Sequence, residues 1–158
     1  SDTKEITALV DFSKLVSDGI LPFEPVFFEK GLTLKAQIQD SIKIIGEEGQ
    51  LYQLMDVLLD NAQKYSKKAG CTWVSLKKHG KGRCLLAVAN EGKRISPEEA
   101  KNIFKRFYRG DQARSRTGSF GLGLSIAESI VKRHKGRIWV ESRDGINYFY
   151  VELPLHNG

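Results

Sequence analysis

The chain has 158 residues, 41% of them apolar and 9% aromatic, enough for one globular core and too apolar for a disordered segment. Its 25 Lys and Arg outweigh 19 Asp and Glu, and the net charge of +6 suits anionic ligands; no nucleic-acid recognition motif accompanies it. No apolar run reaches membrane-spanning length and the polar start, Ser1 to Glu5, has no signal-peptide pattern, so a soluble single domain is expected, with edges at those of the sequence.

In chain order, Ser13 is the expected N-cap of an opening helix with Leu15, Val16, Phe23, Val26 and Phe27, interrupted or bent by Pro22 and Pro25. Residues 32–37 and 42–45 alternate like strands around a polar turn at Asp40 and predict a hairpin. Leu51, Leu54, Met55, Leu58, Leu59 and Ala62 recur at helical spacing and predict a helix from about Glu47 to about Ser66. Strand-like runs at 71–76 and 84–89, joined by His79-Gly-Lys-Gly82, predict a second hairpin.

Ser96-Pro97-Glu98-Glu99 starts a short helix, with proline at its first position and acids facing the positive end of its dipole. After Phe107 a polar, basic stretch runs to Gly118 and is expected to be a mobile lid loop, its near end anchored in the core by Phe104 and Phe107. A helix from about Phe120 to His134 follows, with Gly136 as its C-cap, and strands at 137–142 and 148–153 meet through Asp144-Gly145. Cys71 and Cys84 lie in apolar or β-branched runs and read as reduced core thiols of a cytosolic protein.

The chemistry concentrates in two places. Gly118-Ser-Phe-Gly121-Leu-Gly123-Leu-Ser125 opens the last long helix, where bare backbone N–H groups and the positive dipole end can meet phosphate oxygens; glycines so placed also serve tight packing. On the 47–66 helix, Val57, Asn61, Lys64 and Tyr65 share one narrow sector at the margin of the apolar stripe. An amide oxygen there suits Mg²⁺ riding on nucleotide phosphates, a lysine suits phosphate and a tyrosine ring suits a base, while an ordinary amphipathic helix has the same polar flank. Lys101, Lys105, Arg106, Arg109, Arg114 and Arg116 crowd before the glycines, and Lys132, Arg133, Lys135 and Arg137 follow them; alone, both runs read as solvated surface.

Leu58-Leu-Asp60-Asn61-Ala-Gln-Lys64-Tyr65-Ser66 resembles the N box of the ATP-binding domain of sensor histidine kinases. Gly121-Leu-Gly123-Leu-Ser125-Ile-Ala resembles their second glycine box, and Ile103-Phe104-Lys-Arg-Phe107-Tyr108-Arg109 looks like the F box between them. Order and spacing fit, and the resemblance runs from about Asp11 to about Leu155. It implies a Bergerat-type two-layer α/β sandwich, a mixed and mostly antiparallel sheet with about three helices on one face and an ATP lid. It also implies a histidine protein kinase catalytic domain of a two-component system, which binds ATP with Mg²⁺ and passes the γ-phosphate to a histidine elsewhere.

The resemblance places Asn61 on Mg²⁺, Lys64 near the phosphates and Tyr65 beside adenine, with Arg109 and then Arg106 as lid cations. Lys64, Arg109 and Arg106 are thus the catalytic candidates, and Asn90, Gly92, Ile95, Phe107, Gly118, Gly121, Leu122, Gly123 and Leu124 complete the nucleotide site. The implied partners are the phosphoacceptor helical domain of the same kinase, in cis or in trans, and a response regulator. No nucleic acid is expected, and the isolated domain is expected to be a monomer from the cytoplasmic part of a membrane-anchored parent.

Two departures matter. The family's first glycine box reads Asp-x-Gly-x-Gly, whereas this chain has Asn90-Glu91-Gly92-Lys93-Arg94-Ile95: a neutral amide replaces the adenine-binding acid, and Arg94 replaces the second glycine. An amide oxygen still accepts a hydrogen bond, more weakly than a carboxylate. Relatives that hydrolyse ATP carry a basic glutamate one turn before the Asn; here that position is Val57, and Asp56 lies about 100° away around the helix. None of His79, His134 and His156 has a phosphoacceptor context, and His134, near a helix C-terminus, reads as a cation beside the dipole. The competing reading is a docking module whose degenerate glycine box impairs nucleotide binding.

Overall fold

A computed structural model describes residues 5–108 and 122–157. The chain runs through β1 (Leu9–Asp11), α1 (Phe12–Ile20), a 3-10 turn (Leu21–Phe23), α2 (Glu24–Glu29), β2 (Thr33–Ile38), β3 (Lys43–Ile45) and α3 (Glu48–Tyr65). It continues through β4 (Cys71–Lys78), β5 (Arg83–Glu91), α4 (Pro97–Asn102), α5 (Gly123–Arg133), β6 (Arg137–Arg143) and β7 (Ile146–Pro154).

Five strands form one mixed sheet in the order β2-β4-β5-β7-β6, in which only the β2–β4 pair is parallel. Its inner face reads as rows across four strands. Leu76, Leu86, Val151 and Ile138 make one row, and Val74, Val88, Phe149 and Val140 the next, all buried. Against these rows pack the buried stripes of α1, α3 and α5, among them Leu15, Val16, Leu51, Leu58, Ala127 and Val131. The outer face carries Trp73, Trp139, Tyr148 and Tyr150, each half-buried. The architecture is the two-layer sandwich expected, a mixed and mostly antiparallel sheet with helices on one face.

The predicted 47–66 helix is α3. Glu47 caps it, its carboxylate accepting from the Gly49 and Gln50 N–H groups at 3.2 and 2.7 Å, and all six predicted apolar positions are buried. At α4 the expected start is a full capping box, Ser96 Oγ accepting from Glu99 N–H while the Glu99 carboxylate answers to Ser96. The β4–β5 and β6–β7 hairpins form as read, the latter turning at Asp144 and Gly145, both with positive φ.

Other expectations are corrected. Asp11, not Ser13, caps α1, its carboxylate accepting from Lys14 N–H. Ser13 is buried inside the helix, where its hydroxyl donates to Gln39 O at 2.6 Å and accepts from Ile42 N–H at 2.9 Å. Strands β2 and β3 do not form a hairpin, because Ser13 ties the connection between them to α1 and each finds another partner: β2 lies parallel to β4, and β3 pairs with β1 in a separate two-stranded sheet. The three residues of β1 are too few to give a period-two signal.

Gly136 is not the positive-φ cap of α5; Lys135 takes that conformation at φ 61°, and Gly136 N–H closes the turn on Val131 O. Gly136 is required by proximity, since a Cβ would lie 2.3 Å from Glu152 O. Of the two phenylalanines expected in the core, Phe104 is 7% exposed and meets Phe149 edge-on, whereas Phe107 is 62% exposed. The chain leaves helical geometry after Asn102, so their three-residue spacing no longer puts them on one face. Cys84 is core, its thiol pushed up to about 12 by burial; Cys71 is only half-buried, and both are free.

Candidate functional site

The inner face of the sheet turns polar in its third row. Thr72, Asn90, Asn147 and Ser142 face one another across β4, β5, β7 and β6, at 0%, 2% and 3% exposure for the first three. Each stands where alternation along its strand calls for an inward side chain, so a polar residue there is buried at a cost unless something pairs with it. Ser142 Oγ accepts from Ile95 N–H at 3.0 Å and donates to Asn147 Oδ1, while Asn147 Nδ2 donates to Lys93 O at 2.9 Å. These bonds hold the 93–95 loop against the β6–β7 hairpin. The hydroxyl of Thr72 is enclosed and makes no hydrogen bond.

Asn90 joins this row to the end of α3. Its Nδ2 donates to Tyr65 O at 3.4 Å and to Glu91 O at 3.2 Å. Gly92, half-buried, closes the same junction: a Cβ there would lie 2.5 Å from Tyr65 O and 2.9 Å from Asn90 Nδ2, and Gly92 pairs with Ser66 as an isolated bridge. Glu91 braces the junction from outside, accepting from Cys71 N–H and lying 3.4 Å from Lys67 Nζ; the Cys71 bond, more than Lys67, holds its carboxyl below the usual range.

On α3 the predicted sector is confirmed as a margin of the core. Asn61 is buried at 9% exposure, Val57 and Tyr65 are half-buried, and Lys64 sits 2.9 Å from Asp60, one turn earlier. Asp56 is exposed, and its carboxyl is raised by desolvation and then by the charge of Asp60. No carboxylate occupies the Val57 position.

Helix α5 begins beside this sector. A Cβ on Gly123, its first residue, would come 3.7 Å from Val57 Cγ1. Leu122 precedes it with no side-chain cap, and its first turn holds no acidic residue, so among the described residues no cap or carboxylate competes with an anion for the leading N–H groups. Leu122 and Leu124 are half-buried, Leu124 packing on the core. Ile95 is buried in the core and offers its backbone rather than its side chain.

The F-box residues are less gathered. Arg106 is exposed, its guanidinium 5.4 Å from the ring centroid of Phe107. Arg109, Gly118 and Gly121 lie outside the described residues, as does the expected lid from 109 to 118.

His134 departs from its reading as a cation. It is buried at the end of α5, and Nε2 accepts from Glu47 N–H at 3.0 Å, so Nδ1 carries the proton and donates to Ile130 O at 2.7 Å. Burial, helped by Arg133, lowers its pKa and keeps it neutral. The sequence reading missed Thr72, Asn147 and Ser142. Their signal was a polar residue at the inward phase of each strand, which becomes legible only once the registers align them.

Residues 46–157 match the family described as histidine kinase-, DNA gyrase B-, and HSP90-like ATPase. Sensor protein DltS of Streptococcus agalactiae is 36% identical over 146 residues, covering 92% of this chain but 37% of its own length. The mycobacterial sensor histidine kinase MprB superposes with a TM-score of 0.83 at 27% identity, over 96% of this chain and all of that one. Full-length ShkA in complex with AMPPNP superposes at 0.84 and 24% identity, with this chain covering 33% of it. A polar row under the end of an Asn-bearing helix, an uncapped glycine-led helix beside Val57 one turn from that Asn, and a match over most of its length together place the chain in the family of histidine kinase-, DNA gyrase B- and HSP90-like ATPases.

Proposed function

We propose that the chain binds ATP with Mg²⁺ and donates the γ-phosphate to a histidine on a separate helical domain of a two-component sensor kinase, which a response regulator then relieves of it. The observation that carries this reading is the start of α5, a glycine-led helix end with no side-chain cap and no acid, set against Val57 one turn from Asn61. In this reading Asn90, in the polar row, meets the base, and a neighbour of the same fold was solved with AMPPNP.

The residues present fit the nucleotide. Asn61 offers an amide oxygen to the metal, the α5 N–H groups face the phosphates, and Asn90 faces the base, with Tyr65 beside it. Mg-ATP itself supplies the phosphoryl group and the cation that offsets its charge. The chain's part is positioning and neutralisation. Lys64, 2.9 Å from Asp60, would be the cation for the phosphates, and Arg106 and Arg109 the further cations. With no carboxylate at Val57, bound water is not activated and the phosphoryl group waits for a histidine. By the same reading the domain works on the cytoplasmic side of a membrane-anchored parent.

The test is titration of the chain with Mg-ATP, alongside labelling with γ-labelled Mg-ATP in the presence and absence of a separately supplied phosphoacceptor domain. Binding that weakens about tenfold in Asn61→Ala, with label on the acceptor and none on the chain itself, is expected. Unchanged affinity in Asn61→Ala would remove that residue from the metal, and rapid ATP hydrolysis by the chain alone would contradict the assignment of Val57.

A further inference from the structure

The outer face of the sheet, turned away from the helices, carries an open trough of about 540 Å³. Its floor is the outward row of β5, Leu85, Ala87 and Ala89, where two methyl groups leave a depression along the middle of the sheet. Trp73 on β4 forms one wall, and Tyr148 and Tyr150 on β7, with Trp139 behind them on β6, form the other. Tyr148 stands opposite Trp73 across Ala89, two strand spacings or about 10 Å away, and the run from Leu85 to Glu91 is about 20 Å long. Ala89 is only 4% exposed although it points outward, because the aromatic walls shade it.

The wall on β6 and β7 is held in place. Trp139 packs on Tyr150 with ring centroids 5.3 Å apart, and Tyr150 stacks on Tyr148 at 5.8 Å. Arg137 lies 3.9 Å over Trp139 and Arg143 4.0 Å over Tyr148, and Arg143 also donates to the Tyr150 hydroxyl and the Glu141 carboxylate. Each of the three rings already has two aromatic or guanidinium neighbours. The wall therefore offers a partner fixed apolar volume rather than the bare ring faces on which nucleobases stack.

Strands β4, β5 and β7 are internal, with neighbours on both sides. A chain lying over them finds no backbone partner and must satisfy its own N–H and C=O groups, which a helix does. A helix of about 14 residues matches the length of the floor at 1.5 Å per residue and can bring one apolar stripe to it.

The surrounding charges select the sign of that helix. Glu141 is taken by Arg143 at 2.7 Å, and Glu152 lies 3.5 Å from His79. Among the described residues Lys35, the cross-strand neighbour of Trp73, Lys77, that of Leu85, and Arg137 make no ion pair. A second copy of this chain would set the same three cations against these and be repelled, whereas acids flanking an apolar stripe are attracted.

We infer that the outer face docks an acidic amphipathic helix of a partner protein, its apolar stripe over Ala87 and Ala89 between Trp73 and Tyr148, its carboxylates reaching Lys35, Lys77 and Arg137. The surface lies across the sheet from α3 and α5, so the inference does not depend on the nucleotide reading. Trp73, Trp139 and the tyrosines are the residue types that anchor such contacts.

Trp73 and Trp139 are the two tryptophans of the chain and both line the trough, so intrinsic tryptophan fluorescence reports on this surface directly. The probe is a synthetic helical peptide with a stripe of leucine and phenylalanine flanked by glutamates, beside a twin with lysines in place of the glutamates. The acidic peptide should change the emission saturably and bind at least about tenfold tighter than its twin. Ala87→Glu, which sets a charge in the floor, should weaken it about tenfold or more. Lys35→Glu combined with Lys77→Glu should abolish the preference for the acidic peptide; both lysines are exposed, so this variant tests the surface even where Ala87→Glu disturbs the sheet.

Equal binding of the two peptides, or no emission change with either, would overturn the inference. So would a single-stranded oligouridylate that binds more tightly than the acidic peptide, which would give the face to nucleic acid. Concentration-dependent dimerisation abolished by Ala87→Glu would overturn it too, by giving the face to a second copy.

Discussion

Glu47 N–H donates to His134 Nε2 at 3.0 Å, joining the residue that caps α3 to the residue that ends α5. The two helices that carry Asn61 and Gly123 are thereby fastened at the ends far from those residues. The fastening needs an unprotonated Nε2.

His134 has a folded-state pKa below its ordinary 6.5, with burial as the first cause. The unfolded chain therefore binds the proton more readily. The stability that neutral His134 contributes is complete above about pH 6.5 and is lost as pH falls through the lower, folded-state pKa. Urea unfolding at a series of pH values from 8 to 5 should show stability falling over the acid half, and the fall should be shallower in His134→Gln, whose amide oxygen accepts the Glu47 bond without titrating. Parallel slopes for the two proteins would mean that other groups carry the dependence.

Phe104 and Phe107 stand three residues apart with opposite surroundings. Phe104→Ala removes a ring buried against Phe149 and should cost about 3–5 kcal/mol. Phe107→Ala, at 62% exposure, should stay within about 0.5 kcal/mol of the parent. Denaturant midpoints decide this, and a large loss in Phe107→Ala would place its ring in a core that the structure does not give it.

Gly92→Ala should destabilise by about 1–3 kcal/mol, since its methyl group would press on Tyr65 O and Asn90 Nδ2. The control is Gly123→Ala, where the new methyl would meet Val57 at an ordinary 3.7 Å and should be tolerated. If thermal unfolding found the two variants equally stable, the junction between β5 and α3 would be looser than described.

Thr72→Val exchanges an enclosed hydroxyl that has no hydrogen-bond partner for a methyl group of the same shape, on a strand that favours β-branching. The variant should gain about 1 kcal/mol, or about 2–4 °C in melting temperature. A lower melting temperature would reveal a partner for that hydroxyl, such as a buried water.

Periodicity alone determined the elements with strong internal signals. The stripe from Leu51 to Ala62 could be only an amphipathic helix, and two-residue alternation with Asp144-Gly145 between its halves could be only a tight hairpin, because both patterns act over a few neighbouring residues. The three motifs around Asn61, Phe104 and Gly123 were legible for the same reason, as local strings of sequence. What the sequence left open is what depends on partners far along the chain. Alternation made β2 and β3 strands but did not say that one lies beside β4 and the other beside β1, and the Ser13 hydroxyl, which looked like a cap, is spent between Gln39 and Ile42. The polar row is the clearest case: Thr72 and Asn147 lie 75 positions apart, with Asn90 and Ser142 between them, and only strand register sets the four side by side under the end of α3, where the Tyr65 and Glu91 carbonyls take the Asn90 Nδ2.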